Sequence, residues 1–192
     1  WAGVDSATGD PRYYKGGATD PSMEIVNSYN EASQMVQGDR IPTYSGGLGT
    51  RLSYKNFYVD GNLYFAGGHK VFERWSWYSE NTGLLSVRYY QGAQKLMERW
   101  QKPGDITDVP RMRWSTSTSA TGSGTTTRFL HDGDFVRLRD VVVGYNLPQN
   151  IANRLGFDNV SFSARGLNLF TWTKDPGLTV DPEIRNSGSW EI

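Results

Sequence analysis

The chain has 192 residues, and its 20 Lys and Arg balance 20 Asp and Glu, so the formal net charge is zero. This balance gives no argument for nucleic acid or for an anionic membrane surface as a partner. The absence of Cys excludes disulfide frameworks and thiolate metal sites.

Aromatic residues make up 14% of the chain and 22 residues are Gly, which favours an all-β chain with long polar loops. No apolar run approaches the ~18 residues of a transmembrane helix. The mean hydropathy of −0.58 is still compatible with a membrane β-barrel, because barrel strands alternate apolar and polar residues. The chain starts at Trp1 without an initiator Met or a signal peptide, so we expect a fragment or a processed piece.

The first forty residues are mostly loop-like. A turn is predicted at residues 8–11, followed by a short extended piece at residues 12–14. Residues 30–36 predict a short helix, in which Asn30 is the N-cap and Gly38 ends the segment.

From Thr43 the hydrophobic pattern changes to period two, which predicts strands. Leu48, Leu52 and Tyr54 share one face of the first run. The apolar face of the next run comprises Phe57, Val59, Gly61, Leu63 and Phe65. Only Lys55 and Asn56 separate the two runs, which predicts a tight hairpin.

A very long connection then covers residues 68–129. Within it, residues 86–101 predict a helix, since Ala93, Leu96, Met97 and Trp100 follow helical spacing and Pro103 comes soon after. Residues 115–127 are a low-complexity polar segment, predicted to be a mobile loop tip.

Two long strand-like runs follow, at residues 134–147 and 160–173, separated by one predicted helical turn that ends at Gly156. The apolar face changes phase near Asp140 and again near Gly166. A β-bulge explains such a change, and so does a strand top that rises above a membrane with both faces wet.

The connections therefore run short, long, short, long, as in outer-membrane barrels with short periplasmic turns and long external loops. On this interpretation Lys55-Asn56 and residues 149–159 are periplasmic. Four strands with two open edges cannot stand alone in lipid, because their edge groups lack partners. The fold class predicted is all-β: antiparallel strands from the C-terminal part of a transmembrane barrel of about 22 strands, with long external loops that contain a short helix.

Several motifs, in order along nearly the whole chain, resemble one family. They are Trp1-Ala2-Gly3-Val4-Asp5 with Thr8-Gly9-Asp10, Pro42-Thr43-Tyr44-Ser45-Gly46-Gly47, Met97-Glu98-Arg99-Trp100 with Asp108-Val109-Pro110-Arg111, Phe135-Val136-Arg137-Leu138-Arg139-Asp140-Val141 with Gly144-Tyr145-Asn146-Leu147-Pro148, and Asn168-Leu169-Phe170-Thr171-Trp172-Thr173-Lys174. Together these stretches resemble the C-terminal part of SusC/RagA-type TonB-linked outer-membrane proteins, the nutrient importers of Bacteroidetes.

The resemblance implies an outer-membrane protein of a Gram-negative cell that imports oligosaccharides or peptides. It implies a SusD-like surface lipoprotein as a lid, the TonB complex as the energy source and the lipid bilayer as the surroundings. Residues 1–192 would be a partial barrel that lacks the plug, most strands and the final strand. The protein is then not an enzyme, and no cofactor, catalytic residue or metal site is predicted.

Two groups of candidate site residues follow. Contacts to substrate or lid are proposed for the loop aromatics Trp75, Trp77, Tyr78, Tyr89, Tyr90 and Trp114, since exposed aromatics stack on sugars or anchor interfaces. The alternative is that they pack the loops together or form an interfacial girdle. Lumen-facing positions are proposed for Asp60, Asn62, Arg137, Arg139 and Arg165, with a solvated barrel lining as the alternative.

Other patterns are weaker. Asp132 and Asp134 lack the full oxygen series of a calcium site, and His131 has no nucleophile at a recognisable spacing. Gly46-Gly47 lacks the Lys of a phosphate loop, so it predicts a bend or close approach in the strand. A secreted β-sandwich carbohydrate-binding module is the rival hypothesis, although a sandwich favours short connections. A glycan-active enzyme is disfavoured because no carboxylate pair stands out.

Overall fold

Antiparallel strands dominate the computed structural model, which describes residues 1–16, 24–84, 88–89 and 91–183. The strands are β1 Gly3–Val4, β2 Pro11–Lys15, β3 Glu24–Val26, β4 Tyr44–Tyr54, β5 Phe57–Gly67, β6 Lys70–Phe72, β7 Leu130–Asp132, β8 Phe135–Asn146 and β9 Ser161–Thr173. Short helices lie at Arg74–Ser79, Thr118–Thr121 and Gln149–Arg154, and 3₁₀ turns at Tyr29–Glu31, Gln94–Glu98 and Thr127–Phe129. Within those ranges no helix has the length and apolar character to cross a membrane.

The four long strands form one antiparallel sheet in the order β4-β5-β8-β9. They have 11, 11, 12 and 13 residues, against about 5–6 for an ordinary strand. The predicted hairpin is confirmed, and Lys55 takes a left-handed conformation with φ 53° in its turn. This turn and the β8–β9 connection lie at one end of the sheet, while β5 ends and β8 begins at the opposite end.

A β-bulge explains the change of phase near Asp140, as one of the two interpretations predicted. Asn62 and Leu63 of β5 pair with Asp140 and Leu138, which leaves Arg139 as an extra residue in β8. In β9 the matching irregularity leaves Asn168 and its neighbour between the paired residues 167 and 170. Asn168 has φ 50°, a conformation that Asn tolerates better than most residues. The bulge therefore keeps the apolar side chains of both strands on one face.

The predicted helical turn between β8 and β9 is confirmed as Gln149–Arg154. Its C-terminus forms a Schellman motif, in which the N–H groups of Gly156 and Phe157 donate to Asn153 and Ala152, both at 3.1 Å. Gly156 has φ 82°, which only Gly adopts without strain.

The helix predicted over residues 86–101 is wrong for the part that the structure describes; residues 86, 87 and 90 lie outside it. Only Gln94–Glu98 is helical, as a 3₁₀ turn, and Ala93 and Arg99 on either side have non-helical backbone angles. The N–H of Trp100 donates to Val109 O at 2.9 Å. This long-range bond replaces the intrahelical bond that the apolar spacing predicted.

The helix predicted over residues 30–36 is also wrong. A 3₁₀ turn covers Tyr29–Glu31 with Ser28 as its N-cap, and Ala32 is already extended. The N–H of Ser33 donates to Tyr14 O at 3.1 Å, so contact with β2 extends this segment. The predicted extended piece at residues 12–14 is confirmed as β2.

The chain divides into two compact units. The first comprises the described residues of Trp1–Gly38 and Phe72–His131, and its core includes Tyr13, Val109 and Phe129. Residues 115–127, predicted to be a mobile loop tip, are instead packed in this unit: Thr121 is buried, and Thr82 Oγ1 donates to Thr121 O at 2.8 Å. The second unit comprises Asp39–Val71 and the described residues from Asp132 on, with the four-stranded sheet.

Candidate functional site

One face of the four-stranded sheet is apolar and open. Strand pairing places on it the rows Tyr54-Phe57-Tyr145-Phe162, Leu52-Val59-Val143-Ala164, Thr50-Gly61-Val141-Gly166, Leu48-Leu63-Leu138-Phe170 and Gly46-Phe65-Val136-Trp172. Several of its large side chains are 48–66% exposed: Leu48, Leu52, Phe57, Val143, Phe162, Phe170 and Trp172. In the rival β-sandwich, a second sheet would bury such a face. The exposure is therefore evidence against the sandwich hypothesis.

The composition of the apolar face changes along the strands, with aromatic residues near both ends. Its row at the short-turn end is entirely aromatic, with the rings of Phe57 and Tyr145 4.6 Å apart, and aromatic residues return near the other end with Phe65 and Trp172. Phe57 and Phe65 are about 27 Å apart along the strand, or about 21 Å at a tilt of about 40°. An apolar band about 25 Å tall between two aromatic girdles is the outer surface of a membrane barrel.

The opposite face is polar, and it holds all six charged side chains of the four strands: Arg51, Asp60, Arg137, Arg139, Asp140 and Arg165. All five residues predicted to face a lumen are thus on this face. Arg51 donates to Asp60 at 2.5 Å and Arg165 to Asp140 at 2.7 Å. Asn62 hydrogen-bonds to Asp140. The structure brings these residues together; whether the face borders a lumen stays a prediction.

Gly46 makes the close approach that the sequence predicted. An added Cβ there would lie 2.6 Å from the ring of Phe65 on the neighbouring strand. Because Gly46 has no side chain, there is room for the Phe65 ring in the row that it shares with Trp172.

The Asp132-Gly133-Asp134 turn is held by lysines. Lys70 Nζ lies 2.5 Å from Asp132, and Lys174 Nζ lies 3.3 Å from Asp134. The Gly68 N–H and Lys174 keep the pKa of Asp134 below its usual value. Ion pairing accounts for these carboxylates, which favours an ordinary turn over a calcium loop. In the first unit, His131 Nε2 lies 3.9 Å from Glu73.

The candidate loop aromatics fall into two groups. Trp75, Trp77 and Tyr78 lie on the helix Arg74–Ser79, where Trp77 donates to Ser123 O and its ring lies 4.5 Å from that of Tyr78.

Trp75, Tyr89 and Trp114 are 75%, 64% and 74% exposed. Tyr90 lies outside the described residues. Trp77 and Tyr78 therefore help to pack the loop, while the other three described residues are available to a partner.

Two motifs singled out in the sequence interlock in the first unit, which the sequence did not predict. The Trp100 ring covers Gly9, and its indole N–H donates to Ser6 O at 2.9 Å. Arg111 donates two hydrogen bonds to Asp10 at 3.1 and 3.2 Å. The sequence signal for this contact was that both motifs occur in the same chain.

Residues that the sequence missed also lie after β9. Asp181 and Glu183 accept hydrogen bonds from Arg137, and Glu183 also pairs with Arg139. The sequence predicted only a loop here. The sequence signal for these acidic partners was that the four strands carry more Arg than Asp, so that some Arg need carboxylates from outside the strands.

Comparisons with known proteins agree with this geometry. No protein-family model matches the chain. The chain is 28% identical over 186 residues to TonB-dependent receptor P3 of Formosa agariphila, covering 90% of this chain and 17% of the receptor. It is 30% identical over 163 residues to TonB-dependent receptor P26 of the same organism, covering 80% and 15%. The chain thus spans less than a fifth of the length of these relatives.

Among solved structures, the RagAB peptide transporter superposes with a TM-score of 0.74 at 22% identity, over 90% of this chain and 18% of that chain. The closed-closed state of the RagAB peptide importer gives 0.71 at 23% identity, over 90% and 19%. These neighbours share the antiparallel barrel strands described above. The chain is therefore a relative of the TonB-dependent receptors, with the fold of a segment of a SusC/RagA-type β-barrel.

Proposed function

We propose that this chain is the C-terminal part of the β-barrel of an outer-membrane nutrient importer that takes up oligosaccharides or peptides by a TonB-dependent mechanism. One observation carries the proposal: the sheet has an open apolar face between aromatic rows, and all its charged side chains lie on the other face. Lipid accepts the first face and an aqueous lumen the second. Similarity to TonB-dependent receptors and to a peptide importer supports this assignment.

The proposal requires more protein than this chain. A plug that contacts TonB and most of the barrel strands belong to the remainder of the importer. The outer edges of β4 and β9 are where further strands would pair, since edge groups in lipid need partners. No catalytic residue or cofactor is assigned.

For the external side we propose a SusD-like lipoprotein as partner. The exposed rings of Trp75, Tyr89 and Trp114 support this, because aromatic side chains are enriched where proteins bind one another. Stacking on a sugar ring is the second use of the same rings. The peptide-importer neighbours favour peptides as cargo; the aromatic rings alone are compatible with oligosaccharides.

The test starts from the intact protein extracted from outer membranes in detergent. We expect a polypeptide several times larger than 21.6 kDa that co-purifies with a lipoprotein. A 21.6 kDa protein in a detergent-free soluble fraction would contradict the importer proposal and favour the β-sandwich carbohydrate-binding module.

Cysteine labelling tests the membrane topology: this chain contributes no Cys, and any Cys in the rest of the receptor is first replaced by Ser. Lys102→Cys, at an exposed position of the long connection, is expected to react with a membrane-impermeant maleimide on whole cells. The matched Lys55→Cys variant, in the short turn, should react only after the outer membrane is permeabilised. Equal labelling of both variants on whole cells would contradict the proposed orientation.

A further inference from the structure

The charges of the four-stranded sheet do not balance by themselves. Its strands carry four Arg and two Asp. Arg51 pairs with Asp60 and Arg165 with Asp140. Within the described strands no carboxylate pairs with Arg137 or Arg139, so these two residues give the polar face of the sheet a local positive charge.

The guanidinium group of Arg137 is positioned to bind carboxylates. Its Nε donates to Thr171 Oγ1 at 3.0 Å, which fixes the plane of the guanidinium group. Its Nη1 and Nη2 donate to Glu183 at 2.5 Å and Asp181 at 2.6 Å. Charge-assisted bonds in this geometry are among the strongest hydrogen bonds in proteins.

Arg139 completes the site. Its guanidinium lies 3.8 Å above the ring of Tyr64 and pairs with the second carboxylate oxygen of Glu183. The bulge in β8 places Arg139 beside Arg137 on the polar face. Two arginines thus share one carboxylate, and an aromatic ring supports one of them.

The acidic partners come from residues 175–183, here called the acidic strap. Leu178 and Pro182 are buried and anchor it, and the Glu183 N–H donates to Asp181 at 2.9 Å. Arg137 is only 6% exposed although it lies on a polar face. Burial alone would raise the pKa of Asp181, but the bonds from Arg137 and from the Glu183 N–H lower it. Asp181 is therefore an anion at neutral pH.

We propose that Arg137 and Arg139 form a binding site for carboxylate-bearing cargo, which the acidic strap occupies until the cargo displaces it. The inference rests on the proposed function, because it takes the polar face to border the transport path. Cargo carboxylates make the same bonds as Asp181 and Glu183, so the exchange costs few hydrogen bonds. The strap is tethered to the site and competes at high effective concentration. Acidic peptides and uronic-acid oligosaccharides both carry the required group.

The test uses the intact receptor in detergent at low ionic strength. Binding of fluorescein-labelled hexaglutamate is measured by anisotropy, with hexagalacturonate as an unlabelled competitor. Hexaglutamine and maltohexaose are the uncharged counterparts. Asp181→Asn/Glu183→Gln removes the two strap charges that pair with Arg137 and Arg139 and should raise the affinity for at least one acidic probe about tenfold, since a competitor is removed.

Adding Arg137→Gln/Arg139→Gln to that variant should abolish the gain. Arg51→Gln is the matched control, because Arg51 lies on the same face but pairs within the sheet; combined with the strap variant it should retain the gain. A gain for hexaglutamate alone identifies peptide carboxylates, and a gain for hexagalacturonate alone identifies uronates. Equal effects on charged and uncharged probes, or no effect on either, would overturn the proposal.

Folding and location separate this result from the proposed function. Each variant must show the heat-dependent electrophoretic shift of a folded barrel and must fractionate with outer membranes. A receptor that passes both checks without a charge-dependent gain disproves the carboxylate site and leaves the importer function in place. A wild-type receptor absent from the outer membrane disproves the importer function itself.

Discussion

At the scale of single residues, Gly9 shows why the motif that contains it requires glycine. Its φ of 74° is left-handed, and an added Cβ would lie 2.5 Å from the Trp100 ring. Both the backbone conformation and the packing therefore exclude a side chain. The same ring holds the carbonyl of Ser6 through its indole N–H, so one aromatic side chain joins two distant parts of the first unit.

We predict that Gly9→Ala lowers the free energy of unfolding of the first unit by about 2–4 kcal/mol, because it strains the left-handed backbone and displaces Trp100. Gly104→Ala is the matched control, since Gly104 has φ 98° but nothing lies within 4 Å of an added Cβ; it should cost only about 1–2 kcal/mol. The measurement is the urea dependence of trypsin cleavage of the folded receptor. Equal sensitivity of the two variants would contradict the role of Trp100.

At the scale of elements, strand length and face decide the properties of the sheet. The 11 to 13 residues of each long strand are enough to cross a bilayer when tilted, since about 9–11 suffice. The bulge at Arg139 preserves the division of faces through β8. Without it, Leu138 and Val141 would point to opposite sides, because their separation is an odd number of residues.

Neighbouring valines of β8 test which face meets lipid. Val141 lies in the middle row of the apolar face, and Val142 lies on the polar face between Asp60 and Arg165. Val141→Arg should destabilise the folded receptor in lipid vesicles by about 2–4 kcal/mol, because it places a charge near the bilayer midplane. Val142→Arg should cost much less. The stabilities of both variants are measured by urea titration, in which the folded receptor is detected by its heat-dependent electrophoretic shift.

If Val142→Arg proved as costly as Val141→Arg, the assignment of the lipid face would be wrong. The comparison is well matched because both substitutions introduce the same side chain into one strand at nearly the same depth. Only the direction of the side chain differs between them.

At the scale of the whole molecule, the sheet is incomplete. In the described part of the chain, β4 and β9 each pair on one side only. Their free edges are 11 and 13 residues long, and the apolar face beside them is open. Long unpaired edges next to exposed apolar surface promote association.

We therefore predict that the 192 residues expressed alone do not yield a soluble monomer. Sedimentation and light scattering in detergent-free buffer should show aggregates, and detergent should reduce their size. A monodisperse 21.6 kDa species without detergent would argue against a barrel segment.

The sequence by itself determined the parts of the fold that depend on short-range patterns. Period-two alternation predicted the hairpin and its apolar face, and a phase change near Asp140 predicted a bulge as one option. Gly156 predicted the end of the helical turn, because Gly takes a left-handed backbone conformation without strain. Each of these features is set by neighbouring residues, so reading along the chain was sufficient.

Only the tertiary structure decided the features that depend on distant partners. Helical spacing at Leu96 and Trp100 failed as a predictor because a bond to Val109 and packing on Gly9 fix Trp100 elsewhere. The pairing of Arg137 with Asp181 and Glu183 links residues more than forty positions apart, and no local pattern marks it. Interactions of this range depend on how strands are paired, and that pairing exists only in the folded chain.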